Sequence, residues 1–293
     1  MALSNLHPSK QSSLPPQKLA SLIYHDFFDY PLNQAEITKW ELNPKIIRKL
    51  APASISKTNN FYILHARTKL INFRLKREKI SETKLNLAKK ASNLIGLTPT
   101  IKFIGVTGSL AMKNAKPSDD LDLLLITRKN TLWLTRLLVY VLLFCLHYPV
   151  RFPGEKKEKD KLCLNIWLAE NDLLIKSQNL FTAHEIAQII PLVDKKNTFN
   201  KFLSQNKWIL NYWPNSIEIK SDSRIKSYSS QQKSALETAI SIINLVAYKI
   251  QYFYMKTKIT KEKISFTQAF FHPHSSWPDI QTKLKNKLQV ETK

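Results

Sequence analysis

Two aspartates one residue apart, Asp120 and Asp122, lie in the apolar run Asp120–Ile126. That run predicts a strand, and a strand sends alternate side chains to opposite faces, so both carboxylates share one face while Leu121 and Leu123 take the other. Like charges that close raise each other's pKa unless a cation sits between them. Mg²⁺, which favours carboxylates together with phosphate oxygens, suits such a pair, and Mn²⁺ is the close alternative. Upstream, the strand expected over Ile101–Val106 runs into a tight turn at Thr107-Gly108-Ser109. Gly108 lets backbone come close to a polyphosphate, and amides at a helix start near Ser109 can donate to its oxygens. Metal and phosphate would meet at one mouth.

The order strand, Gly108-Ser109, ten-residue spacer and Asp120-Leu121-Asp122 within hydrophobics resembles the signature of the nucleotidyltransferase superfamily. That fold is shared by DNA polymerase beta, kanamycin nucleotidyltransferase and minimal nucleotidyltransferases. The resemblance implies that Gly108 and Ser109 bind the triphosphate, and that Asp120 and Asp122 are catalytic and hold Mg²⁺ or Mn²⁺. The implied reaction moves a nucleoside monophosphate from an NTP to a hydroxyl, amine or phosphate acceptor, with pyrophosphate leaving. The implied fold is a mixed sheet flanked by helices. Many members carry a third carboxylate on a later strand, and here the matching inward position is Asn165. A neutral amide cannot take a proton, so Glu170 or Asp172 is the expected substitute, or a metal-bound hydroxide or water. The competing reading is a catalytically weak or inactive nucleotide-sensing regulator that binds DNA through a winged helix.

The elements needed to position these groups can be read around the motif. Strands Ile101–Val106, Asp120–Ile126 and Leu162–Leu168 alternate with a long apolar helix, Thr131–His147, and a charged loop, Glu155–Lys161. This is an α/β (α+β) organisation over residues 96–178. Before it, residues 15–66 read as a winged-helix-like unit. Leu19, Leu22, Ile23 and Phe27 recur at helical spacing, Asn33 with Glu36 opens a second helix through Trp40 and Leu42, and Pro44 opens a third over Lys45–Leu50. Strands at Ser54–Ser56 and Phe61–Leu64 flank the polar turn at 57–60. Residues 67–95 form a basic linker helix: nine Lys or Arg lie between Arg67 and Asn93, opposed by Glu78 and Glu82, with an apolar stripe through Leu70, Phe73, Ile80, Leu87, Ala91 and Leu94. Residues 179–265 read as helical, with a capping box at Thr182 and Glu185 and a long amphipathic helix from Leu236 to Tyr254. Residues 1–14 and 266–293 are expected to be disordered or loosely ordered tails.

Forty-five Lys and Arg against 22 Asp and Glu give a net charge of +23. A field that positive favours polyanions, and the basic helix reads as a solvated face or else as a surface for a nucleic-acid backbone, with the N-terminal unit a DNA-binding or protein-docking module; biased base composition explains the abundance of Lys, Asn and Ile equally well. Cys145 and Cys163 show no CxxC spacing, which excludes a disulfide scaffold or cysteine zinc site. The polar start lacks a signal-peptide core, so a cytoplasmic location is expected. The apolar run Leu137–Tyr148 falls short of the roughly 20 residues that span a bilayer and reads as a buried helix, with peripheral membrane attachment through this run and the basic tail the weaker alternative. Weaker candidates are His272 and His274 in the tail, His184, and Arg128 with Lys129 after the aspartate strand. Walker, Rossmann and Gly-x-Ser-x-Gly patterns are all missing.

Overall fold

The computed structural model describes residues 14–152, 155, 157–220, 235–257, 262–271 and 277–290. The chain begins with α1 (Pro16–Asp26), β1 (Leu32–Asn33) and α2 (Gln34–Lys39), then a 3₁₀ turn at Pro44–Ile46. The expected capping box at α2 is formed, with Asn33 and Glu36 each bonding the other's backbone amide. β2 (Ile47–Leu50), β3 (Ile55–Thr58) and β4 (Phe61–Leu64) follow. β3 and β4 make a hairpin whose turn residues Asn59 and Asn60 both have positive φ, 49° and 66°, which matches the right-handed twist of the strands. Both strands of this hairpin were expected, although β3 runs two residues further.

The third N-terminal helix is a correction. Lys45–Leu50 turns once and then extends as β2, pairing antiparallel with β11 (Leu288–Val290) at the other end of the chain. The β-branched pair Ile46-Ile47 favours extended backbone over a short helix. The segment expected as the third helix of the winged-helix-like unit is thus a strand. The tail needs the same correction: α9 (Trp277–Leu284) and β11 bury Ile280, Leu284 and Leu288 against α1 and its neighbours.

α3 (Lys69–Gly96) leads to the central unit, β5 (Ile101–Val106), α4 (Gly108–Ala111), β6 (Leu121–Thr127), α5 (Leu132–Cys145) and β7 (Leu162–Ala169). The region expected to be helical adds strands as well as helices: α6 (Leu180–Ala187), β8 (Ile190–Asp194), α7 (Thr198–Gln205), α8 (Ala235–Lys256), β9 (Lys263–Ile264) and β10 (Gln268–Phe270). The six-stranded sheet has the order β8-β5-β6-β7-β10-β9, with β6 and β7 parallel and the other neighbours antiparallel. Pro191 sits in β8, an edge strand where its missing N–H is tolerated. The fold class is therefore mixed α/β, of the α+β type.

Alternation along β6 divides the core. Leu121, Leu123 and Leu125 pack with α3 and α5, while Leu124 and Ile126 pack with α6, α7 and the N-terminal elements. The N-terminal unit shares that second core rather than enclosing its own. α3 buries Leu70 and Ala91 of the expected stripe but departs from it elsewhere. Phe73 and Leu87 are exposed, while Arg74, Ser81 and Lys84 are buried. Arg74 pairs with Glu36 and Glu78, Lys84 with Asp160, and Arg67 with Asp26 and Asp29. Those cations are committed within the chain, which reduces the basic face offered to a phosphate backbone. No helix among the described residues is long and apolar enough to cross a membrane.

Candidate functional site

The candidate site forms where β5 ends and β6 and β7 begin. β5 arrives antiparallel to β6 and β7 leaves parallel to it, so Val106 pairs with Leu123 and Asp122 with Cys163 at one end of the central strands. The Thr107 amide donates to the Asp122 carbonyl at 3.0 Å. Gly108 follows with φ +64°, and a Cβ built on it would stand 2.5 Å from Asp122 Oδ2. Two reasons therefore converge on glycine: left-handed backbone, and an aspartate carboxylate filling the space a side chain would need. The spacer is tied down by Asp119, whose Oδ2 accepts from Ser109 Oγ at 3.0 Å and from the Lys116 amide at 2.9 Å. The Ser109 hydroxyl thus faces the loop.

One oxygen each from Asp120 and Asp122 and the Cys163 sulfur lie within 4.8 Å of one another. Two hard anionic oxygens on one side of a strand fit a divalent cation, with a thiol as a softer neighbour. Charge balance at the pair is uneven. Asp120 receives Arg151 Nη1 at 2.6 Å, and Arg151 also pairs with Glu158. The Asp122 carboxyl is pushed up to about 8, by burial first and then by the charges of Asp120 and Glu185; a hydrogen bond from Cys163 and the charge of Arg151 act the other way. Burial and the two aspartates push the Cys163 thiol far up, so it stays protonated.

Asn165 sits where the third acid was expected, buried, with Nδ2 donating to Asp122 Oδ1 at 2.8 Å. Its expected substitutes lie at the wrong end. β7 carries Glu170 and Asp172 beyond its last residue, about 20 Å from the aspartate pair at roughly 3.3 Å per residue. There Glu170 accepts from the Lys129 amide, and Asp172 from Thr267 and Gln268. Arg128 is also at that far end, paired with Glu237, so neither it nor Lys129 serves the glycine turn.

Glu185 is the acid that the sequence reading did not place here. Thr182 does not cap α6; Asn179 does, accepting from the Thr182 amide at 2.9 Å. That shift frees Glu185 to face the strand ends. Burial pushes its carboxyl up to about 7, against hydrogen bonds from Gln188 and the Gly108 backbone amide. Gln188 Nε2 donates both to Glu185 Oε1 at 2.7 Å and to the Gly108 carbonyl at 3.2 Å. A Glu-x-x-Gln pair one turn apart in an otherwise apolar helix was the available signal. His184 is buried, its Nε2 3.1 Å from His25 Nε2, and is a packed group away from the aspartates. His272 and His274 lie outside the described residues. No protein-family model matches this chain, and no curated protein is significantly similar to it.

Proposed function

We propose that this protein is a divalent-metal-dependent nucleotidyltransferase. An acceptor oxygen or nitrogen attacks the α-phosphorus of an NTP, the bond to the β-phosphate oxygen breaks, and pyrophosphate leaves as the acceptor loses a proton. The observation that carries this reading is the meeting of Gly108 with Asp122, since it joins the glycine turn to the acidic pair across ten residues of spacer. Asp120 and Asp122 would hold the divalent ion, Mg²⁺ or Mn²⁺, which would neutralise the developing negative charge on the phosphates.

Each protein group then has a task. The backbone at Gly108 and Ser109 approaches the triphosphate. Arg151, beside Asp120, supplies a fixed positive charge at the mouth. Asn165 holds one oxygen of Asp122 and so sets the direction of the other. Glu185, poised near neutral pH, is the acid able to take the acceptor's proton, which Asn165 is not.

One observation favours the second reading, a nucleotide sensor without turnover: the third acidic position is an amide. Incubation with α-labelled NTPs and Mg²⁺ or Mn²⁺ separates the two. Label transfer with pyrophosphate release supports the enzyme, and nucleotide retention without release supports the sensor. Unchanged nucleotide binding in a folded Asp120→Asn, Asp122→Asn double variant would exclude the site under either reading.

A further inference from the structure

The helices α5 and α8 are packed together, yet each is half uncovered. On α5 the inner side is Leu132, Trp133, Val139 and Leu143, while Leu137, Leu138, Val141 and Phe144 face outward. The helix expected to be buried is therefore buried on one side only. The single charge on α5, Arg136, is turned inward, bonding Gln251 Oε1 at 2.5 Å and lying over Phe271 and Tyr140. α8 spends its polar edge on α5. Asn244 Oδ1 accepts the backbone amides of Trp133 and Leu134, and Gln251 Nε2 donates to the Trp133 carbonyl. On the opposite side of α8, Leu236, Ile243, Val246, Ile250 and Phe253 are all exposed. Phe144 and Phe253 are 81% and 80% accessible. Apolar surface on this scale marks a docking face.

Charge decides the occupant. The outer residues of α8 recur in a seven-residue pattern, which would suit a second copy of the helix. The positions flanking that seam, however, are Ile240, Ala247 and Tyr254 on one side and Ile242, Lys249 and Lys256 on the other. These lysines have no acidic counterpart across a helix pair, and two chains of +23 repel. The only acid on α8, Glu237, is already paired with Arg128, so no carboxylate borders either apolar arc on these two helices. Apolar arcs with aromatic residues, free of acid and bordered on α8 by Lys249 and Lys256, match a surface that is oily below and anionic above.

We propose that α5 and α8 form an amphipathic face that seats this protein on an anionic lipid bilayer, lying along the headgroup boundary without crossing it. Flotation of the full chain with vesicles tests this, using phosphatidylcholine alone or with about one-third phosphatidylglycerol, at low and high salt. Expected is co-flotation with the anionic vesicles that weakens with salt. Phe144→Asp with Phe253→Asp, both at exposed positions, should weaken binding tenfold or more while circular dichroism is unchanged. Lys249→Glu with Lys256→Glu should remove the preference for anionic lipid. The proposal falls if the wild-type chain floats with neither vesicle, or if the folded aspartate variant floats as well as wild type. It falls equally if the face instead holds a second copy, seen as a solution mass twice 34.0 kDa that the aspartate variant returns to one chain.

Discussion

Gly108→Ala perturbs one atom at the point where the turn and the acidic pair meet. The new Cβ must be placed at φ +64° and 2.5 Å from Asp122 Oδ2. Left-handed backbone costs a non-glycine residue about 1–2 kcal/mol. The close contact cannot persist, so either the turn opens or the Asp122 carboxylate rotates away. Rotation breaks the bond that Asp122 Oδ1 accepts from Asn165 at 2.8 Å, which contributes about 1 kcal/mol more. A total near 2–3 kcal/mol corresponds to a fall in melting temperature of roughly 3–5 °C for a chain of this size. The same rotation removes an oxygen from the cation position, so Mn²⁺ binding by calorimetry should weaken by about tenfold or more. Thermal unfolding with and without Mn²⁺ reads both effects. A variant as stable as wild type that binds Mn²⁺ equally well would refute the packing of Gly108 on Asp122 and with it the assigned site.

Other outcomes follow from the same geometry. In metal-free protein the raised carboxyls of Asp122 and Glu185 mean that the folded state holds protons the unfolded chain has released, so stability should fall from pH 7 to pH 8.5; chemical unfolding in EDTA checks the sign. That window lies above the range where His25 and His184, both lowered by burial, bear on stability. Asp122→Asn should flatten the dependence, and so should saturating Mg²⁺, which holds the carboxylates deprotonated across the window. Asn165→Asp restores a third acid, and should tighten divalent-ion binding while lowering the stability of the metal-free protein, as read by calorimetry and thermal unfolding. Asn60→Gly relieves a left-handed turn residue and should stabilise the hairpin by up to about 1 kcal/mol, measurable by urea unfolding.

The parts legible in the sequence were those decided by neighbours along the chain. β5 is found at its expected bounds, β6 and β7 within a residue of theirs, and the Asn33–Glu36 cap forms as read, because alternation and capping are local. Errors arose wherever a distant segment decided. β2 is a strand because β11, more than 200 residues later, supplies its partner. β8 and β10 complete the central sheet from segments too short to reveal a period. Arg74 and Lys84 point inward because Glu36, Glu78 and Asp160 await them there, which no helical periodicity can show. Glu185 was missed for a related reason: its role depends on the backbone of Gly108, reached only after α6 folds over the strand ends.

Charge at the strand ends constrains either functional reading. Asp120, Asp122 and Glu185 are three acids sharing one region with Arg151, which is already divided between Asp120 and Glu158. Without a cation the region settles by keeping protons, as the raised carboxyls show. A polyphosphate entering alone would add negative charge where protons are already being retained, so its affinity must be low. A divalent ion displaces those protons and offsets the phosphate charge together. Binding of the ion and of the nucleotide should then be strongly and reciprocally coupled, each raising the other's affinity by the same factor. Both an enzyme and a sensor built on Asp120 and Asp122 must show that coupling. They differ at Glu185: a base needed for turnover makes Glu185→Gln lose rate while keeping coupled binding. A carboxylate that merely occupies the Gly108 amide makes the same variant bind nucleotide more tightly, because the phosphate no longer competes with an anion for that donor.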